Sequence, residues 1–204
     1  MIGFKDRKKK REAAAAVERG RHLLVAERGQ EAFEFAEDAV KRFPESAELR
    51  LILASMFLKF QPEQVASQAA LAAELGADDP GIQVRAGHLM FDRGEVEGAR
   101  ACTRRANELA GPDFIHISGL ETLDGLIAAL DGEDALAEEK FRSAVERDPA
   151  FSSFAFDLAK FLAARDRQDE ALAVIDDSLQ QAKDKDDLER LRDEITGGSG
   201  PGSK

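Results

Sequence analysis

The 204-residue chain has no tryptophan, no tyrosine and a single cysteine, Cys102. One cysteine excludes an internal disulfide and the paired thiolates of a structural zinc site. No run of 18 apolar residues occurs, so no segment is expected to cross a bilayer as a helix. The cations near the N-terminus are not followed by the apolar stretch that a secretory signal requires. The expectation is a reducing, cytoplasmic setting. No Gly-rich phosphate loop and no nucleophile-elbow motif is present. His22, His88 and His116 lack metal-ligand spacing, so neither a metal nor a cofactor is expected. Cys102 reads as a small packing residue rather than a nucleophile. These absences leave no sequence basis for an enzyme.

What is present favours helix. Hydrophobic residues make up 43% and charged residues 34%, with alanine, leucine and phenylalanine dominating the apolar side. The net charge of −11 is uneven. Residues 1–12 carry Lys5, Arg7, Lys8, Lys9, Lys10 and Arg11 against Asp6 and Glu12, a balance of +4, so the rest carries −15. An acidic body disfavours nucleic acid as the main partner, because phosphate contacts need cations. Residues 1–12 read as a flexible basic arm, and Lys5–Arg11 as the only stretch suited to nucleic acid or a membrane surface.

Small residues recur in three ladders sharing one spacing. Ala32, Ala66, Ala99, Ala137 and Ala171 step by 34, 33, 38 and 34 residues. Gly20, Ala54, Gly87, Gly125 and Ala159 run in phase upstream, and Ala39, Ala73, Ala106, Ala144 and Ser178 downstream. One helical hairpin stacked five times accounts for all three. Small residues let neighbouring helix axes approach, while Leu23, Phe57, Met90, Ala128 and Leu162 fill the first helices in one register, and Ala36, Ala70, Thr103, Phe141 and Ile175 the second.

The hairpin units are expected near 13–45, 46–79, 80–112, 113–150 and 151–183. Breaks fall at Gly29, Gln61-Pro62, Arg93-Gly94, Asp131-Gly132 and around Asp166. The 38-residue step inserts four residues near Gly111–His116, either by lengthening the next helix or through a local bulge. An amphipathic helix at 185–195, with Leu188, Leu191 and Ile195 on one face, is placed to cap the stack. Residues 197–204 have flexible-linker composition.

Gly125, Gly132, Ala137, Phe141, Ala144 and Pro149 give the clearest match to a known pattern. Gly87, Gly94, Ala99 and Ala106, and Gly20, Ala32, Ala39 and Pro44, follow. Over residues 13–182 the chain resembles the tetratricopeptide repeat family. It departs where that family places an aromatic residue, since Ala16, Arg50, Gln83, Glu121 and Ala155 stand there. The resemblance implies an all-α, right-handed solenoid of about five helix-turn-helix repeats with a C-terminal capping helix. It also implies a concave, partner-binding groove lined by first helices. Carried onto this chain, that groove comprises Val17, Arg21, Leu51, Ser55, Lys59, Val84, Arg85, His88, Leu126, Phe156 and Lys160, with Val25 and Thr122 beside them. The family's Lys, Arg and Asn clamp for acidic C-termini cannot be built, because Val17 occupies one clamp position and the only asparagine is Asn107.

The expected role is a non-enzymatic scaffold or adaptor that binds a peptide or helix of a partner protein, with no small-molecule substrate. Two alternatives remain. One is a self-associating scaffold, motivated by Phe33 and Phe35 on the outer helices. The other is an adaptor tethered to membrane or nucleic acid through the basic arm.

Overall fold

The structure, a computed structural model, describes residues 4–26, 28–111 and 113–197. Pro112 and residues 198–204, most of the expected flexible tail, lie outside the described residues. The chain divides into two compact units between Gly111 and Pro112. The N-terminal unit contains α1 (Phe4–Val25), α2 (Gly29–Arg42), α3 (Ala47–Phe60), a 3-10 turn (Pro62–Gln64), α4 (Val65–Leu75), α5 (Pro80–Asp92) and α6 (Val96–Leu109). The C-terminal unit contains α7 (Ile117–Leu130), α8 (Asp134–Arg147), α9 (Ser152–Ala163), α10 (Gln168–Leu179) and α11 (Asp186–Ile195). Consecutive helices pair as antiparallel hairpins, and the described residues contain no strand.

Local chemistry sets the helix ends. Ser46 caps α3 by accepting from the Leu49 N–H at 3.4 Å. Asp79 caps α5, its Oδ1 accepting from the Gly81 and Ile82 N–H groups at 2.8 and 3.1 Å, with Pro80 in the first turn where no N–H is needed. Three hairpin turns share one backbone motif. Glu95, Glu133 and Arg167 donate their N–H groups to the carbonyls of Met90, Ala128 and Leu162, and Gly94, Gly132 and Asp166 donate to Phe91, Ala129 and Ala163. This paired pattern requires a left-handed residue at its centre. Gly94 and Gly132 have φ +76°, and Asp166 takes the same role at φ +59°.

The first-helix ladder of Gly20, Ala54, Gly87, Gly125 and Ala159 is buried throughout. A methyl group on Gly125 would lie 2.9 Å from the Phe141 ring, and one on Gly20 would lie 3.0 Å from Ile52 Cδ1. The second-helix ladder needs one correction. Ala32, Ala99, Ala137 and Ala171 are buried, but in α4 the buried positions are Val65, Ala69 and Ala72, one residue ahead of the expected Ala66, Ala70 and Ala73. The 3-10 turn before α4 sets this register. The alanine-rich sequence of α4 cannot reveal it, because small residues stand in both registers.

Three further expectations change. The basic segment expected as a flexible arm is helical from Phe4, continuous with the packed part of α1. Gly29 opens α2 instead of breaking the hairpin. The four extra residues leave α7 at 14 residues and fall in the connection before it, where Ile117 N–H donates to Phe114 O and the Phe114 and His116 rings meet edge-on at 5.6 Å.

Each unit has its own apolar packing. In the N-terminal unit, Leu49, Ile52, Leu53 and Phe57 of α3 pack with Val17 and Ala36, while Ile82, Ala86 and Met90 of α5 pack with Leu51, Ala69 and Ala99. In the C-terminal unit, Phe141, Leu158, Leu162 and Ile175 form one cluster that Leu188 and Leu191 of α11 cover. Helix α11 contacts both α9 and α10, closing the apolar end of the last hairpin.

Candidate functional site

In the N-terminal unit the first helices α1, α3 and α5 lie side by side. Ridge-to-groove packing buries residues on two sides of such a helix. That removes three expected groove residues from the surface: Val17, Leu51 and Val84 are 8%, 3% and 2% exposed. Ser55 remains half-buried, its hydroxyl donating to Leu51 O at 2.9 Å. His88 is half-buried on α5, and Lys59 is exposed at the end of α3. Val25 is exposed at the end of α1.

Arg21 and Arg85 share a partner that sequence spacing did not reveal. Glu48 lies between them on α3. Its Oε1 accepts from Arg85 Nη2 at 2.5 Å. Its buried Oε2 meets Arg21 Nη2 at 3.0 Å, a charge contact off hydrogen-bond alignment. Partial burial alone would raise the Glu48 carboxyl, but the Arg85 hydrogen bond and the charges of Arg85 and Arg21 outweigh it and hold the carboxyl below its usual range. Arg85 also donates from Nε to Gly81 O at 3.3 Å, and Arg21 pairs with Glu18 at 3.2 Å. The cluster ties three helices together through one carboxylate and two guanidinium groups.

In the C-terminal unit, Leu126 of α7 and Phe156 of α9 are half-buried against the core. Lys160, one turn beyond Phe156, is exposed, with its ammonium 5.8 Å from the Phe156 ring centroid. Thr122 is buried, its hydroxyl donating to Ser118 O at 2.9 Å. This face therefore offers apolar surface and one cation.

Polar residues stand at three of the five positions where tetratricopeptide repeats place an aromatic, and two of them reach back to the preceding segment. Gln83 is buried and donates to Ala73 O and Gly76 O at 2.8 and 3.1 Å, satisfying carbonyls at the end of α4. Arg50 donates to Pro44 O at 3.2 Å and to Gln68 at 3.1 Å. Glu121 instead turns to its own hairpin partner, accepting from Ser143 at 2.8 Å and Arg147 at 3.1 Å.

The remaining reactive groups have structural settings. Burial pushes the Cys102 thiol up to about 11, leaving little thiolate at neutral pH. His22 and His116 are exposed, and no group of three metal-ligating side chains occurs among the described residues. Phe33 and Phe35, expected on an outer face, are half-buried. Phe33 packs 5.7 Å from Phe57 and 5.1 Å from Phe60, and Phe35 lies 4.8 Å beneath the Arg19 guanidinium.

No helix among the described residues is long and apolar enough to cross a membrane. No protein-family model and no curated protein matches the chain. Solved structures do match. TTC0263, a thermophilic tetratricopeptide repeat protein of Thermus thermophilus, aligns over 90% of this chain and 98% of its own, with a TM-score of 0.71 and 22% identity. PilW, a type IV pilus biogenesis factor, aligns over 92% and 87%, with a TM-score of 0.69 and 18% identity. The anaphase-promoting-complex hetero-tetramer Cut9–Hcn1 aligns over 90% of this chain and 36% of the matched chain, with a TM-score of 0.71 and 15% identity. Paired antiparallel helices, buried small-residue ladders and these structural likenesses together establish the tetratricopeptide-repeat fold, an all-α solenoid of helical hairpins.

Proposed function

We propose that the chain is a non-enzymatic scaffold that holds a segment of a partner protein on its first-helix faces. The fold alone does not assign this role. The observation that carries it is the pairing of chemistry on those faces. In the N-terminal unit, Arg21 and Arg85 share the Glu48 carboxylate, Arg21 also pairs with Glu18, and Lys59 stands exposed on the same set of first helices as half-buried Ser55 and His88. In the C-terminal unit, Leu126 and Phe156 keep apolar surface beside Lys160. A segment carrying carboxylates suits the first face, and one carrying apolar side chains suits the second. That Cut9–Hcn1 is part of a hetero-tetramer is consistent with this use of the fold.

The test uses exposed lysines, because Arg85→Glu would set a second carboxylate against Glu48 and confuse binding with folding. Partners captured by the wild-type chain are titrated against Lys59→Glu and Lys160→Glu. Micromolar affinity, about −8 kcal/mol, is the expected scale. Each change should weaken binding about fivefold or more with unchanged thermal melting. Wild-type affinity in both variants rejects the assignment.

A further inference from the structure

We propose that the exposed cationic side of α1 is a docking surface for the anionic headgroups of a lipid bilayer. The proposal is independent of the partner-binding faces. It begins with the continuity of α1, which carries the basic segment into the same helix as the buried Val17 and Gly20. Helical spacing then sorts the cations. Arg7, Lys8 and Arg11 are exposed and share a shallow concavity with Glu12 and Ala15, away from the side that Val17 and Gly20 bury. Lys10 is also exposed. Lys9 turns toward the core side and pairs with Glu45 at 2.6 Å. Lys8 reaches Glu12 only at 3.9 Å.

This concentration of charge is local. Residues 1–111 carry 18 lysines and arginines against 18 carboxylates, so without the basic segment the N-terminal unit would be acidic. The side chains available favour one kind of polyanion. Residues 7–16 contain no aromatic residue to stack on bases, and beyond the arginines and lysines themselves no Asn, Gln, Ser or Thr to read base edges. A run of cations followed by alanines 13–16 matches phosphate density on a surface. Each lysine or arginine near an anionic bilayer contributes about 1 kcal/mol, equivalent to about fivefold in partitioning.

The experiment is co-sedimentation of the full chain with vesicles of phosphatidylcholine alone and with 30% phosphatidylserine added, across rising sodium chloride. Duplex DNA at matched phosphate concentration is titrated in parallel. Binding to the anionic vesicles should exceed binding to neutral ones and fall with salt. The triple variant Arg7→Gln, Lys8→Gln and Arg11→Gln should lose roughly 100-fold in partitioning at fivefold per charge, with its helical circular dichroism and melting retained. Equal binding to both vesicle types overturns the proposal, as do an unaffected triple variant and tighter binding to DNA than to anionic vesicles. If the triple variant loses its fold, the single variants Arg7→Gln and Arg11→Gln replace it. A loss of about fivefold in each then supports the surface, and no loss rejects it.

Discussion

The two compact units use charge and bulk in opposite places. The N-terminal unit is balanced in charge, whereas residues 112–204 carry 22 carboxylates against 11 lysines and arginines, which accounts for the whole net charge of the chain. Apart from the Arg105–Asp78 pair at 2.8 Å, the ion cluster that crosses hairpins in the N-terminal unit lies on first helices, with Glu48 between Arg21 and Arg85. In the C-terminal unit it lies on the second-helix side. There Glu138 of α8 accepts from Arg142 at 2.7 Å and from Arg167, just before α10, at 2.5 Å, while Arg167 also holds Glu170 at 2.7 Å. Bulk is redistributed too. At one shared second-helix position the N-terminal unit has Ala36, Ala69 and Thr103, and the C-terminal unit has Phe141 and Ile175. The same fold thus leaves different groups available. Structural pairing engages the first-helix arginines of one unit, while the first-helix lysine of the other stays exposed.

The largest expected effect probes the difference in bulk. Phe141 is fully buried, against Gly125 on one side and 5.4 Å from the Phe161 ring on the other. Phe141→Ala should cost about 3–5 kcal/mol of stability, against about 1 kcal/mol for Thr103→Ala at the same repeat position. Denaturant unfolding measures both, and equal costs would erase the contrast.

Acid titration probes the difference in charge. Hydrogen bonds from Arg167 and then Arg142 outweigh the opposing effect of burial and hold the Glu138 carboxyl down at about 2. A carboxyl whose folded value lies below its unfolded value contributes stability above the unfolded value, about 4.3, and loses that contribution as pH falls toward 2. Glu138→Gln should therefore lower the melting temperature at pH 7 and flatten its decline between about pH 4.3 and 2. A decline as steep as that of the wild type would show that this network does not govern acid sensitivity.

The smallest effect tests what the units share. Asp166→Gly relieves a left-handed backbone that glycine occupies in the other two turns, and should raise stability by about 0.5–1 kcal/mol. A loss on calorimetric melting would mean that the aspartate side chain contributes more than its backbone strain costs.

Much of this architecture is legible in the sequence because turn chemistry is local. Asp79-Pro80, Gly94 and Gly132 mark helix ends without reference to anything distant. The first-helix ladder is legible too, since close approach leaves little choice but Gly or Ala. The register of α4 is not, because alanines occupy both candidate registers. Groove membership is equally hidden. The apolar pattern of α3 cannot distinguish a residue facing a partner from one facing a neighbouring first helix, and Leu51 and Val84 turn out to be the second kind. Glu48 carries no local signal at all. Its role comes from Arg21 and Arg85, 27 and 37 residues away along the chain.

The recurring turn has a practical consequence. Met90–Glu95, Ala128–Glu133 and Leu162–Arg167 follow the same hydrogen-bonded path through six residues. The shared path marks these corners as places where the central loop residues can be exchanged with both hydrogen bonds kept, while Met90, Ala128 and Leu162 at their first positions stay fixed as core residues. A library built by shuffling those loop residues would vary loop chemistry while holding the scaffold constant, which makes these corners the natural points for grafting new recognition sequences.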